Sequence, residues 1–305
     1  MEIAQYFISP LVALITAPLM IGIIRKTKAF FAGRKGTPLL QMYYSLHRLF
    51  QKDSVISGTT SYIFKIAPVI ILTTTIAATA FLPFLSSFNY SSFTGDFILM
   101  FYLLGVARFF IIISSLDTGS AFEGMGASRE ALFSALAEPV MFISIITFLR
   151  LNHSFSFSAS FANNFTSNWI ILTMLAIPVF IVLLVENSRI PFDDPTTHLE
   201  LTMIHEVMIL DNSGVDLGIL EYAASIKLWF FSMILIKFIL PVSQLNLTCE
   251  IVLTFGLLIL ISILIGIVES TIARCRLLKT PQLLFSAGVV SFLAFFLTVT
   301  KFFKW

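Results

Sequence analysis

Eight stretches of about twenty apolar residues decide what this chain can fold into; they lie at about 7–24, 62–84, 97–116, 131–149, 169–186, 224–245, 250–269 and 282–300. Each is long enough to carry an α-helix across roughly 30 Å of hydrocarbon. Within that layer only helices and closed barrels satisfy their own backbone hydrogen bonds. Charged residues make up 12% of the chain, about half of the roughly 25% that a soluble domain carries. The expected fold is an all-α integral membrane protein, one polytopic domain over 1–305, and not a soluble enzyme. The 33 phenylalanines read as lipid-facing filler. A net charge of +2, with no basic run interleaved with aromatics, points away from nucleic acid. Glu2 and the lack of a basic start argue against a cleaved signal peptide, so the first run is the first span.

Loop charges then set the orientation. Thirteen of the 19 Lys and Arg residues fall on one side: Arg25, Lys26, Lys28, Arg34, Lys35, Arg48, Lys52, Lys65, Arg129, Arg189, Arg274, Arg276 and Lys279. The other side holds Arg150, Lys301 and Lys304, and Arg108, Lys227 and Lys237 lie inside spans. The chain is therefore expected in the cytoplasmic (inner) membrane with both termini outside. The polar loops at about 25–61, 117–130, 187–222 and 270–281 would be cytoplasmic. Cys249 and Cys275 then lie on opposite sides and cannot pair.

The first of these loops contains a helical signal. Leu39, Met42, Tyr43, Leu46 and Phe50 recur on one helical face after Pro38, with Arg48, Gln51 and Lys52 off it. That is the pattern of an amphipathic helix lying in the membrane interface or docked on a partner.

Ionisable groups within spans are costly and usually functional. Arg108 in the third run needs a carboxylate partner. Asp117, Glu123, Arg129 and Glu130 flank the fourth run, and Glu138 lies inside it. Glu138 is either a proton-carrying site or a structural partner for Arg108 or Lys227. The richest stretch is VENSRIPFDDPTTHLELTMIHEVMILDNSG, residues 185–214. Glu186 and Arg189 can pair at i, i+3, Thr197 and Glu200 form a capping box, and His198, His205, Glu206, Asp211, Glu221 and Lys227 follow. A zinc site fails on spacing: there is no H-E-x-x-H, and His198 and His205 stand seven residues apart. With two cysteines and no C-x-x-C, an iron–sulfur cluster would have to sit on another chain.

The run E-N-S-R-I-P-F-D, residues 186–193, resembles the signature of complex I subunit 1, the heel subunit of that proton pump. Its continuation D-P-T-T-H-L-E-L-T-M-I-H-E is more similar to the homologues in group 4 membrane-bound [NiFe] hydrogenases and formate hydrogenlyase-type complexes. G-R-K-G-T-P-L-L-Q-M-Y at 33–43, L-D-T-G-S-A-F-E-G-M-G-A-S-R-E at 116–130 and E-S-T-I-A-R-C-R at 269–276 agree in order. The resemblance implies a membrane-anchor and ion-coupling subunit of a complex I-related oxidoreductase. Its partners would be soluble hydrogenase-like large and small subunits, iron–sulfur subunits and antiporter-like membrane subunits.

By the same resemblance, Glu138, Glu186, Glu200, Glu206 and Asp211 would belong to a proton path or coupling element, and Glu221, at the start of the next span, is placed with them by position. Arg108, Arg129, Arg189, Asp193 and Lys227 would be its charge partners. Arg34, Lys35, Arg48, Asp117, Glu123 and Glu130 would form a docking or quinone-like loop region. Asp211 stands where the family often has glutamate, here in D-N-S-G. No metal ligand or cofactor is expected on this chain; a nickel–iron centre and iron–sulfur clusters would be held by partners. Quinone, bound by complex I, is put in question by the loop's departure from that pattern. The rival readings are a quinone-site heel subunit, a free-standing ion transporter and a passive anchor.

Overall fold

The computed structural model describes residues 7–85, 93–157, 160, 169–193, 203–239, 246–275 and 279–302. Its helices follow the apolar runs. We number them α1 (Ile8–Phe31), α2 (Gln41–Phe50), α3 (Tyr62–Ala80), α4 (Asp96–Asp117), α5 (Ala121–Leu151), α6 (Trp169–Glu186), α7 (His205–Met208), α8 (Gly214–Ile239), α9 (Leu247–Thr271) and α10 (Thr280–Phe302). All but α2 and α7 are long and apolar enough to cross a membrane, which gives the eight expected spans.

Helix α8 occupies the centre. Its residues from Leu228 to Phe238 are buried without a break, as befits a helix that is apolar on every face. Around it pack α1, α3, α6 and α9, with α2 laid across its first turns. The ring continues from α3 to α4, from α4 to α5 and from α5 to α6, while α10 lies against α5 and α6. Prolines 18, 68, 139 and 178 sit inside α1, α3, α5 and α6; neighbouring helices make such interruptions tolerable within a membrane.

The two longest spans exceed the bilayer by the widest margin. At 1.5 Å per residue, α5, of 31 residues, runs about 46 Å, and α8, of 26 residues, about 39 Å. Their charged starts therefore project on the basic side of the molecule. This corrects the expected loop limits: most of 117–130 and the end of 187–222 are helix, so Glu123, Glu130 and Glu221 stand on rigid scaffolding.

The amphipathic helix α2 is docked on the bundle. Met42 and Leu46 are buried, whereas Leu39 and Phe50, expected on the same face, remain half exposed. Close approach here depends on glycine. A Cβ at Gly22 would sit 2.0 Å from the Leu39 carbonyl oxygen. Gly214, at the start of α8, has φ +53 and would bring a Cβ within 2.3 Å of the Asp53 carbonyl.

Candidate functional site: a buried charge cluster between two cavities

Four helices each contribute one ionisable side chain to a single cluster. Arg108 projects from the middle of α4. One guanidinium nitrogen of Arg108 donates to both carboxylate oxygens of Glu186, at 2.6 Å each, and the other donates to Glu138. Lys227 of α8 approaches Glu186 from the far side, its Nζ 3.0 Å from Oε2. Glu186 is nearly sealed from solvent, and the Arg108 side chain is 9% exposed. The Glu138 side chain, by contrast, is 46% exposed. Two cations and two carboxylates balance, which is what allows charges to persist in an apolar surround. Pro139 follows Glu138 directly and cannot donate to the helical carbonyl of Ala135.

Above the cluster, on the basic side, lies a partly open cavity of about 230 Å³. Ile21, Ile24, Ile71, Leu104, Ala107 and Ile111 form an apolar wall. Opposite them stand Glu130, Arg189, Asp193, His205, Glu206 and Glu221, with Lys227 and Glu186 at the base. Burial is the main force raising the Glu206 carboxyl above its usual range, helped by the negative charges of Glu221 and Asp193. Burial likewise pushes the His205 imidazole down to about 4, with Lys227 and Arg189 adding repulsion. His205 is therefore neutral at physiological pH.

The wall formed by 187–193 is held from three sides. Ser188 turns the chain out of α6 with φ 48, so Arg189 does not follow the helical i, i+3 path to Glu186. It reaches Glu269 at the end of α9 instead, at 3.4 Å, and Lys28 of α1 binds the same carboxylate at 2.9 Å. This corrects the expected Glu186–Arg189 pair. Asp193 accepts hydrogen bonds from the backbone N–H groups of Ile204 and His205, at 3.0 and 3.2 Å, and so anchors α7. Arg274 lies 3.7 Å from Asp193, and the Cys275 N–H donates to the Pro191 carbonyl.

The sequence-predicted residues thus separate by place. Arg108, Glu138, Glu186 and Lys227 form the cluster, while Glu130, Arg189, Asp193, Glu206 and Glu221 share the cavity above it. Others serve internal bonding. Asp117 accepts from the Ser61 N–H at the start of α3, and Arg129 donates to the Met203 carbonyl. Glu123, fully buried, accepts from Thr118 and from the Asp211 N–H. Asp117 and Glu123, expected in the docking or quinone-like loop region, make these internal hydrogen bonds. Asp211 is exposed and lies outside the cavity wall. Arg34, Lys35 and Arg48 are exposed. Glu200, with Thr197 and His198, lies outside the described residues. Among the described residues no group of three His, Cys, Asp or Glu side chains could hold a metal ion.

Two features escaped the sequence reading. Glu269 opens the E-S-T-I-A-R-C-R run, but its pairing with Arg189 and Lys28 is not encoded locally. Lys237 and Glu250, both fully buried, approach to 3.9 Å near the opposite ends of α8 and α9 from the cavity. Lys237 also donates to the Phe84 carbonyl at 3.2 Å.

Two proteins of known name are similar to this chain in sequence, and a chain of one known membrane complex shares its fold. Formate hydrogenlyase subunit 4 of Escherichia coli (strain K12) is 28% identical in an alignment of 311 positions that covers 97% of this chain and 98% of the relative. Hydrogenase-4 component C of the same organism is 29% identical over 278 positions, 88% of this chain and 86% of that one. A chain in the structure of the membrane-bound sulfane sulfur reductase, an archaeal respiratory membrane complex, shares the fold with a TM-score of 0.81 at 18% identity, covering 97% of this chain and 99% of its own length. The family model described as NADH dehydrogenase matches residues 3–300, so the chain belongs, along nearly all of its length, to the NADH dehydrogenase family of complex I subunit 1-like membrane proteins.

Proposed function

We propose that this protein is the membrane-anchor and ion-coupling subunit of a complex I-related oxidoreductase of the hydrogenase-4 or formate hydrogenlyase type. One observation carries the reading: the Arg108–Glu138–Glu186–Lys227 cluster stands at the floor of a cavity lined by both acidic and basic side chains that opens on the basic face. A soluble redox module docked on that face would complete the cavity and reach the cluster through α7 and the 187–193 wall. The exposed Arg34, Lys35 and Arg48 of the first loop would contribute to its docking site. A nickel–iron centre and iron–sulfur clusters would be carried by soluble partners, and the basic face would be cytoplasmic with both termini outside.

The chemistry available to this chain is proton handling and charge displacement. Glu206 and Glu221, on the cavity wall, would exchange protons with the docked module. Glu138, half exposed, would hand the change onward, with an antiporter-like membrane subunit as the receiver. A second reading, quinone reduction at this cavity, is favoured by its apolar Ile21–Ile71–Leu104 wall facing a neutral His205. On this reading His205 and Lys227 would serve as donors to the oxygens of a planar amphipathic head group.

Mild-detergent extraction of the tagged chain, identification of what co-purifies, and assay for nickel and iron test the proposal. Nickel and iron with a hydrogenase-like large subunit are expected. Iron without nickel would favour the quinone reading, and a chain that emerges alone and metal-free would return a stand-alone transporter to the front.

A further inference from the structure

Beneath the first cavity lies a second, of about 300 Å³, and the two share Leu104, Arg108 and Glu186 as a common wall. On each of four helices the second cavity lies deeper in the membrane than the first. Its lining passes from Arg108 to Phe101 on α4, whereas the first runs from Leu104 to Ile111. On α5 the step is from Glu130 to Glu138, on α6 from Glu186 to Val182, and on α8 from Lys227 to Phe231. Eight residues of α5 correspond to about 12 Å along the axis.

The guanidinium of Arg108 fills the junction, held to Glu186 on one side and Glu138 on the other. One turn before it, on the same face of α4, stands Gly105, where an added Cβ would meet nothing within 4 Å. Space into which the arginine head can move is therefore present beside it. The guanidinium occupies the gap itself, so a cation can pass only when it is displaced.

We propose that the two cavities are successive segments of one ion path and that Arg108 is the barrier between them, with Gly105 supplying the room into which it withdraws. This rests on the ion-coupling reading above and adds to it where the path is interrupted. Glu186, clamped by Arg108 and Lys227, is a positioning residue that keeps the barrier shut. Release of Glu186 frees the guanidinium to follow Glu138, and the gap then admits a hydrated cation.

Thiol accessibility in the assembled complex tests this without relying on turnover. In membrane vesicles with the basic face outward, and with Cys249→Ser and Cys275→Ser as background, Ala224→Cys reports on the first cavity and Ala137→Cys on the second. A small cationic, water-soluble thiol reagent is expected to label Ala224→Cys readily, and Ala137→Cys more slowly by about tenfold or more. The charge-balanced pair Arg108→Met with Glu138→Gln should bring Ala137→Cys to the rate of Ala224→Cys. Arg108→Lys, which keeps the charge, should leave it slow. Co-purification of the partner subunits checks that each variant assembles. Labelling of Ala137→Cys at one rate in every background, whether fast or absent, would overturn the proposal. Failure of the ion-coupling reading would appear instead as an isolated, metal-free chain, whatever the labelling pattern.

Discussion

Arg108 and Glu186 lie 78 residues apart in the chain and meet in a two-pronged ion pair, both oxygens 2.6 Å from one guanidinium nitrogen. The pair ties α4 to α6, and Lys227, 3.0 Å from the same carboxylate, brings in α8. Removing one member of a buried pair leaves an uncompensated charge and costs about 3–5 kcal/mol. Glu186→Gln should therefore lower the detergent melting temperature substantially. Glu186→Gln with Lys227→Gln should recover much of the loss, which thermal unfolding of the two purified variants would measure.

The cavity wall predicts opposite pH dependences for two neighbours. Glu206 has its carboxyl raised, first by burial and then by Glu221 and Asp193. A raised carboxyl favours folding below its ordinary value and loses that contribution as pH rises through the raised value. Ionised Glu206 therefore opposes folding at neutral pH, and Glu206→Gln should be more thermostable than the parent at pH 7–8, with the difference vanishing in acid.

His205 behaves the other way. Its imidazole is held down to about 4, mainly by burial, so folding favours the neutral ring. The contribution is complete above the ordinary value near 6.5 and fades as pH falls from there towards 4. His205→Gln should flatten the acid limb of a plot of melting temperature against pH and leave the limb above pH 7 unchanged.

Gly214 starts α8 with φ +53 and no space for a side chain, the Asp53 carbonyl oxygen lying 2.3 Å from an added Cβ. The left-handed backbone alone costs a non-glycine residue about 1–2 kcal/mol, and the clash with backbone adds to it. Gly214→Ala should destabilise the protein by about 2 kcal/mol or more, read as a fall in melting temperature and increased proteolysis between Lys52 and Val55.

Much of this architecture was legible because a bilayer leaves so few options. The run at 169–186 coincides with α6, and the others match their helices to within about ten residues. The largest misses are at α5 and α8, whose first turns carry Glu123, Glu130 and Glu221: charges that mark a loop when loops are read as polar, yet here stand on helix projecting beyond the lipid. The need of Arg108 for a carboxylate was legible too, and Glu138 was one of its candidates. Which helices adjoin was not. The Arg189–Glu269 and Lys28–Glu269 pairs span 80 residues and more, and they exist because α1 and α9 pack together, a relation that no local periodicity encodes. The helical i, i+3 expectation for Glu186 and Arg189 failed because Ser188, at φ 48, ends the helix between them.

The central claim is that the buried cluster couples electron transfer to ion movement through Glu138. The direct measurement is the number of ions moved per electron pair by the purified complex in sealed liposomes, for the parent and for Glu138→Gln. The variant should co-purify with its partners, since a neutral amide of the same shape fills the site, and the ratio should fall severalfold. An unchanged ratio in a fully assembled Glu138→Gln complex would contradict the account and leave the cluster a structural clamp.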